Sequence, residues 1–200
     1  MTQSRTPEET RENAKRNYDA LMEKIPTDVH RREERLVADL RALNAKPIAK
    51  LVRIYKSAET LFSYAGDHVA CRKGCAYCCH LAIQISRIEA DNIGEKTGIV
   101  PVKLKNRVSR DPYGFSEKTP CPFLREGQCS IYEHRPLICR VHVNLDSDAY
   151  WCEYDNWRKP GASVPEPTFH SLTNAYKELN EKAHAVVADI RDFFPAVPDG

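Results

Sequence analysis

Residues 71–80 have the sequence CRKGCAYCCH, which places four cysteines within nine positions. The small residues Gly74 and Ala76 lie between them, so a short loop can bring the thiols together with little loss of chain entropy. A tetrahedral metal ion or one face of an iron–sulfur cluster needs several thiolates that converge in this way. Arg72 and Lys73 add positive charge, which favours the thiolate form. The stretch therefore predicts a thiolate metal site.

The cellular compartment decides how eight cysteines are interpreted. The opening from Met1 to Asn13 is polar and charged without an apolar core, so we expect no secretory signal. No stretch approaches the roughly 18 apolar residues of a membrane span, so we expect a cytoplasmic protein without a membrane partner. In a reducing cytosol, dense cysteines more often bind metal than form disulfides.

Two other interpretations of the cysteines were weighed against metal binding. Single cysteines are often small buried hydrophobic residues, but four within nine positions are unusual for that role. A disulfide framework is the second alternative, in which the adjacent Cys78 and Cys79 would make a strained pair with one another. Metal binding is the favoured interpretation.

The charge of the chain gives no indication of a nucleic-acid partner. Its 200 residues carry 30 Lys and Arg against 28 Asp and Glu, a net charge of +2. A nucleic-acid interface would need a clustered excess of basic residues. We expect a metal ion or cluster as the partner, and the sequence does not indicate a protein partner.

The chain divides into three stretches that we expect to form one structural domain. Residues 1–66 form an N-terminal helical scaffold of about three helices, punctuated by Pro26 and Pro47. Residues 67–160 form the cysteine-cluster metal-binding region, and residues 161–200 supply a C-terminal helix that packs on the same domain. The expected fold is mainly α with a small β-hairpin: a cysteine-rich core flanked by N- and C-terminal helices.

The middle stretch contains several short elements. Alternation from Leu81 to Ile85 suits a strand, and Ser86 with Glu89 resembles a capping box that starts a helix ending at Gly94 or Gly98. A short helix is expected after Pro101.

The residues that follow predict a hairpin and a turn. The segment 121–132 predicts two short strands around a Gly-containing turn. Pro136 opens a helical turn that carries Cys139, and residues 144–167 are expected to form a loop. From Thr168 to Phe194 the apolar residues repeat at helical spacing.

Three further cysteines lie across this hairpin and turn, at Cys121, Cys129 and Cys139. Such an arrangement can bring distant ligands to the same site. Eight thiols exceed the four that one tetrahedral ion uses. Two interpretations therefore remain: a cluster together with another metal, or one site with some thiols left unused. Thiolate spacing alone does not distinguish zinc from an iron–sulfur cluster.

Three histidines and the eighth cysteine are weaker candidates for metal ligands. His80 follows the first cysteine group, and His134 and His142 flank Cys139. Each could be a ligand or a proton donor, but a structural histidine is the commoner case. Cys152, beside Trp151, is equally compatible with a ligand and with a packed thiol.

These motifs resemble those of the YkgJ-like cysteine-cluster family. The matching elements are Cys71-x3-Cys75-x2-Cys78-Cys79, then Cys121-Pro-Phe-Leu, then Cys129-Ser-Ile-Tyr-Glu-x-Arg135-Pro-x2-Cys139-Arg140. Members are described as zinc- or iron-chelating or iron–sulfur proteins, and flagellin lysine N-methylases carry a similar cysteine pattern. The family is usually summarised with two residues between its first two cysteines, whereas this chain has three.

The resemblance implies the ligands and their supporting residues. The implied metal ligands are Cys71, Cys75, Cys78, Cys79, Cys121, Cys129 and Cys139. Arg135 and Arg140 are then expected to donate hydrogen bonds to thiolates or to neighbouring carbonyls.

Three functions were compared. The first is an iron–sulfur or iron-binding protein with a redox or group-transfer role. The second is a zinc-binding structural, chelating or protein-interaction module, since zinc has no redox chemistry of its own. The third is a radical S-adenosylmethionine enzyme, because Cys71-x3-Cys75-x2-Cys78 has that spacing. It is disfavoured because no run of alternating strands and helices follows the motif. No reaction is assigned from the sequence.

Overall fold

The computed structural model describes residues 6–106 and 119–195, and this part of the chain is mainly helical, as predicted. Its helices are α1 (Pro7–Lys24), α2 (Thr27–Ala42), α3 (Pro47–Phe62), α4 (Arg87–Thr97), α5 (Leu137–Val141), α6 (Tyr154–Trp157), α7 (His170–Lys182) and α8 (Ile190–Phe193). Its strands are β1 (Gln84–Ser86), β2 (Leu124–Arg125), β3 (Gln128–Cys129) and β4 (Val187–Asp189). Short 3₁₀ turns lie at Gly66–His68, Tyr77–His80, Tyr132–His134 and Tyr150–Cys152.

The three N-terminal helices confirm the predicted helical stretch. Thr6 and Glu9 form a capping box at the start of α1, and Pro47 occupies the first turn of α3. The apolar faces of α1, α2 and α3 pack with α7 into one core that includes the fully buried Leu51 and Leu172.

The predicted cap of α4 is also confirmed. Glu89 N donates to the Ser86 hydroxyl, and Ser86 N donates to the Glu89 carboxylate. The helix ends at Gly98, which has φ +75° in the left-handed region that glycine adopts without strain.

The hairpin and the helical turn after Pro136 are confirmed as well. Strands β2 and β3 pair antiparallel, with Leu124 opposite Cys129. Pro136 precedes α5, which carries Cys139.

The predicted C-terminal helix is only partly correct. Helix α7 ends at Lys182, and His184 then adopts φ +47°, which turns the chain back. Residues 187–189 form β4, which pairs with β1, with Ile85 opposite Ala188. The apolar spacing of residues 187–189 suggested a helix. These residues form a strand because β1 supplies main-chain hydrogen-bond partners, which the local sequence pattern does not reveal.

Three smaller expectations are also revised. The strand predicted from Leu81 to Ile85 is shifted to β1, Gln84–Ser86. The expected loop at 144–167 contains the turn Tyr150–Cys152 and helix α6. Residues 101–106 form no helix, and the rest of the stretch expected to be helical after Pro101 lies outside the described residues.

A second apolar core lies beneath the cysteine region. It contains Ile83, Ile85, Phe123, Phe193 and Phe194, against which four of the cysteines pack, namely Cys78, Cys79, Cys129 and Cys139. The correction at the C-terminus is therefore relevant to the site, because β4 and α8 complete this core. None of the helices in residues 6–106 and 119–195 has the length and apolar content needed to cross a bilayer.

Candidate metal centre

One cavity of about 190 Å³ brings the predicted ligands together. The cysteines that line it are Cys71, Cys75, Cys78, Cys79, Cys121, Cys129 and Cys139. They come from the 71–80 loop, the β2–β3 hairpin region and α5. The fold therefore gathers the seven candidate side chains, widely spaced in sequence, around a shared space.

Local hydrogen bonds shape the 71–80 loop. Cys75 N donates to the Arg72 carbonyl at 3.0 Å, and Gly74, with φ +95°, makes this turn possible. Cys79 N donates to the Ala76 carbonyl at 3.0 Å, which starts the 3₁₀ turn that carries Cys78 and Cys79. The sequence folds this way because glycine tolerates a backbone conformation that other residues rarely adopt.

The loop is tied directly to the second cysteine group. Cys121 N donates to the Cys79 carbonyl at 2.6 Å, and Arg191 Nη2 donates to the same oxygen at 3.3 Å. On the other side, Leu137 N at the start of α5 donates to Glu89 Oε1 at 2.7 Å. Hydrogen bonds that involve no thiol thus hold the three cysteine-bearing segments in place.

Backbone N–H groups point at four of the thiols. Asn144 N lies 3.2 Å from Cys71 Sγ. The other three bonds each span two residues, from Tyr77 to Cys75, from Phe123 to Cys121 and from Ile131 to Cys129. Each bond lowers the pKa of its thiol, because a donated hydrogen bond stabilises the charged form.

Burial nevertheless raises the pKa of most of the cavity thiols above the ordinary value for cysteine, which disfavours the thiolate form. It raises the pKa of Cys71 to about 11 and that of Cys121 to about 12. Cys78 is the exception, since a hydrogen bond from the Cys79 thiol lowers its pKa. A bound cation would supply the charge that buried thiolates require.

Two arginines beside the cavity have different surroundings. Arg135 stacks on the Tyr132 ring at 3.8 Å, and its buried Nε has no hydrogen-bond partner among the described residues. Arg140 donates to the carbonyls of Arg135 and Glu133, each at 2.8 Å, and forms an ion pair with Glu59. Arg140 therefore supports the turn before α5, whereas Arg135 keeps a donor available beside the thiols.

Among the three candidate histidines, His142 lines the cavity, and His80 and His134 are not among its lining residues. His142 Nδ1 lies 2.6 Å from Glu166 Oε1. Burial lowers the pKa of His142, but the hydrogen bond and charge of Glu166 outweigh it, so the net pKa is raised. This pair was not predicted, because Glu166 lies in the expected loop.

Cys152 lies next to the main cavity. It shares a gap of about 10 Å³ with Cys78 and His142, and Asn144 Nδ2 lies 3.5 Å from its Sγ. Asn144 was not predicted, because an asparagine in an irregular segment has no distinctive spacing.

A larger cavity of about 380 Å³ adjoins the cysteine cavity. Ile83 and His142 line both spaces, and the larger one is otherwise mostly apolar, with Gln84, Glu166, Thr173 and Tyr176 as its other polar members. The buried Gln84 Nε2 has no hydrogen-bond partner in the described part of the chain.

The thiols surround the cavity without converging on one point. Within the described ranges, no three His, Cys, Asp or Glu side chains form a ready-made site for a single ion. The donor set nevertheless fits a soft metal, because sulfur ligands, backbone donors to sulfur and a buried arginine donor meet at one space.

Such an arrangement defines a class of cysteine-rich metal-binding protein. Residues 70–157 match the model of the CxxCxxCC family, which is described as a putative zinc- or iron-chelating domain. The resemblance to a cysteine-cluster family is thereby confirmed, as is a zinc or iron ion as the general kind of partner. No curated protein and no solved structure matches the chain.

Proposed function

We propose that this protein holds an iron–sulfur cluster or iron in the cysteine cavity, with ligands drawn from its seven cysteines. The observation that carries the proposal is that all seven line one space of about 190 Å³. In the proposed organisation, residues 1–66 act as a scaffold, residues 67–160 hold the metal and residues 161–200 pack on the same domain.

The spread of the thiols favours a cluster over a single ion. One zinc ion requires four ligands around a point, with sulfur about 2.3 Å from the metal. Here no three of the described donors converge in that way. A cluster contains several irons and sulfides between its thiolates, so it suits donors arranged around a volume.

The hydrogen bonds around the thiols support the same proposal. Backbone N–H groups donate to Cys71, Cys75, Cys121 and Cys129. Hydrogen bonds to cluster sulfurs stabilise the electron-rich state and tune the reduction potential. Arg135 Nε adds a further buried donor at the cavity.

The adjoining cavity supports a redox or group-transfer role. When bound, an iron–sulfur centre supplies one-electron chemistry. The space of about 380 Å³ is large enough for a small molecule, and Ile83 and His142 separate it from the thiols. In this role, His142, held by Glu166, can carry a proton at the boundary.

A zinc-binding structural, chelating or interaction module is the second candidate. The matched family is described as chelating zinc or iron, and thiolates bind both metals. All eight cysteines are free thiols, the state that a reducing compartment maintains, so a cytoplasmic location is part of either proposal.

Anaerobic purification from iron-supplemented cells tests the proposal. Absorption spectra and elemental analysis on one sample distinguish the metals. Broad visible absorption near ~400 nm with several irons and sulfides per chain would support the cluster. A colourless protein with zinc would favour the second candidate. A protein that binds neither metal would refute both.

A further inference from the structure

The cavity of about 380 Å³ beside the thiols has the properties of a small-molecule site. Its walls come from the residues that lead into β1, from α5, from α6 and from α7. Spaces of roughly 300–1,000 Å³ with mostly apolar walls and a few polar groups are typical of sites for small organic ligands. The volume and the lining therefore suit an organic molecule rather than a single ion.

The apolar part of this lining is continuous. Ile138 and Val141 lie one turn apart on α5, and Leu81 and Trp157 line the same space. Ile138 remains 39% exposed, so the fold itself leaves this surface incompletely covered. A ligand with an apolar body would remove it from water, which is favourable.

Gln84 supplies the polar contact. Its main chain is fixed in β1, where it lies opposite Asp189. Its side chain lines the cavity, and its buried Nε2 has no acceptor within the described ranges. A buried donor without a partner is costly, and an oxygen atom of a ligand in this cavity would supply the missing acceptor.

The other neutral polar groups of the lining are less suited to this task. Tyr176 Oη already donates to Glu89 and accepts from Ser86 N at 3.1 Å. Thr173 is exposed on α7, where water can satisfy its hydroxyl. Gln84 is therefore the buried donor that is open to a ligand.

The charges of the lining favour an uncharged ligand. Within the part of the chain that the structure describes, none of the lining residues is a lysine or an arginine. His142 and Glu166 lie 2.6 Å apart and pair with each other. An anionic ligand would lose its hydration without gaining an unpaired cation, and it would meet the Glu166 carboxylate.

From these observations we infer that the cavity binds an uncharged, mostly apolar molecule whose carbonyl oxygen accepts a hydrogen bond from Gln84 Nε2. The inference deepens the proposed function, on which it rests for the role of this molecule as the substrate of a redox or group-transfer reaction. Ile83 and His142 also line the cysteine cavity, so a molecule held here lies next to the proposed metal centre.

Benzamide is the probe, because it combines an uncharged carbonyl group with an apolar ring. It is added to the ¹⁵N-labelled full-length chain, both as purified and after removal of metal. The chain has two tryptophans, of which Trp157 lines the cavity, whereas Trp151 Nε1 donates to Thr10 Oγ1 at 2.5 Å elsewhere. We expect benzamide to shift the indole signal of Trp157 and to leave that of Trp151 in place.

Two related probes test the ligand class. Benzoate has the shape of benzamide but carries a charge, and we expect it to bind at least roughly 10-fold more weakly. Toluene has the ring without the oxygen. Gln84→Leu should weaken benzamide binding by roughly 5-fold and leave toluene binding within about 2-fold, because only benzamide uses the amide.

The apolar wall has a matched pair of variants. Ile138→Asn should weaken the binding of benzamide and of toluene alike, since both place the ring on this wall. Val52→Asn is the control, because Val52 is similarly exposed at 37% but is not among the residues that line the cavity. It should bind both probes as the original chain does.

An unchanged Trp157 signal with benzamide in both forms of the protein would overturn the inference, as would equal affinities for benzoate and benzamide. An equal loss of benzamide and toluene binding in Gln84→Leu would overturn the assigned hydrogen bond. None of these results concerns metal content, so the proposed function would stand. A chain that binds benzamide but neither iron nor zinc would instead refute the proposed function and retain the ligand site.

Discussion

Glu89 connects the helical scaffold to the segment that carries Cys139, so its removal tests how the site is supported. The carboxylate is 1% exposed and accepts hydrogen bonds from Tyr55 Oη at 2.8 Å and from Leu137 N at 2.7 Å. It also accepts from Tyr176 Oη and from Ser86 N. One side chain thus joins α3, α4 and α7 to the start of α5.

The loss in free energy of unfolding caused by Glu89→Ala follows from the buried hydrogen-bond donors that would no longer have an acceptor. Ser86 N keeps a bond to Tyr176 Oη, but Tyr55 Oη, Tyr176 Oη and Leu137 N each lose the acceptor described for them. An unsatisfied buried donor costs about 1–3 kcal/mol. Removing the buried carboxylate relieves part of its own desolvation, so we expect a loss of about 3 kcal/mol. That corresponds to a melting temperature lower by roughly 6–12 °C for a domain of this size.

The assay is denaturant unfolding of the reduced metal-free protein, followed by circular dichroism at neutral pH. Glu95→Ala, on the same helix but exposed, is the matched control and should change stability little. A free energy of unfolding for Glu89→Ala within about 0.5 kcal/mol of that of the original chain is typical of a surface substitution. Such a result would contradict this account of the network.

Glu89→Gln adds a pH test. Burial raises the pKa of Glu89 above 4.5, although the hydrogen bonds partly oppose the shift. The folded state therefore holds this proton more tightly than the unfolded state does. Its stabilising contribution is present below pH 4.5 and is lost as the pH rises through the folded pKa. The stability advantage of the original chain over Glu89→Gln should decline over that range, and an increase would contradict the reasoning.

Three further predictions concern other parts of the molecule. Cys78→Ser should lose bound metal and lower the thermal stability of the loaded protein, as measured by elemental analysis and calorimetry; unchanged metal content would exclude Cys78 as a ligand. Arg135→Gln should weaken metal affinity by roughly 10-fold, as measured by chelator competition, because a buried donor beside the thiols is lost. Hydrogen bonds from Arg41 and Lys182 lower the pKa of Glu178 to about 2, so its stabilising effect is fully present above pH 4.5 and is lost as the pH falls from 4.5 through about 2. Glu178→Gln should lower the melting temperature by about 1–2 °C at pH 7, with the difference shrinking in acid.

The elements that the sequence predicted well are those encoded locally. The cap formed by Ser86 and Glu89, the glycine at position 98 and the turn between β2 and β3 each depend on a few neighbouring residues. The seven cysteines that the family resemblance implied as ligands line one cavity, and their role as metal ligands stays a prediction.

The elements that it missed depend on distant contacts. Strand β4 was read as helix because its pairing with β1 spans about a hundred residues, and local periodicity carries no information about such a partner. Asn144 and Glu166 gain their roles from tertiary placement beside Cys152 and His142.

X-ray absorption spectroscopy at the edge of the bound metal tests most directly whether the cysteines hold it. The account predicts a first shell of sulfur scatterers, with a short iron–iron vector if the centre is a cluster. For zinc, the sulfur distance would be about 2.3 Å. A first shell dominated by nitrogen or oxygen would contradict the assignment of the cysteine cavity as the metal site.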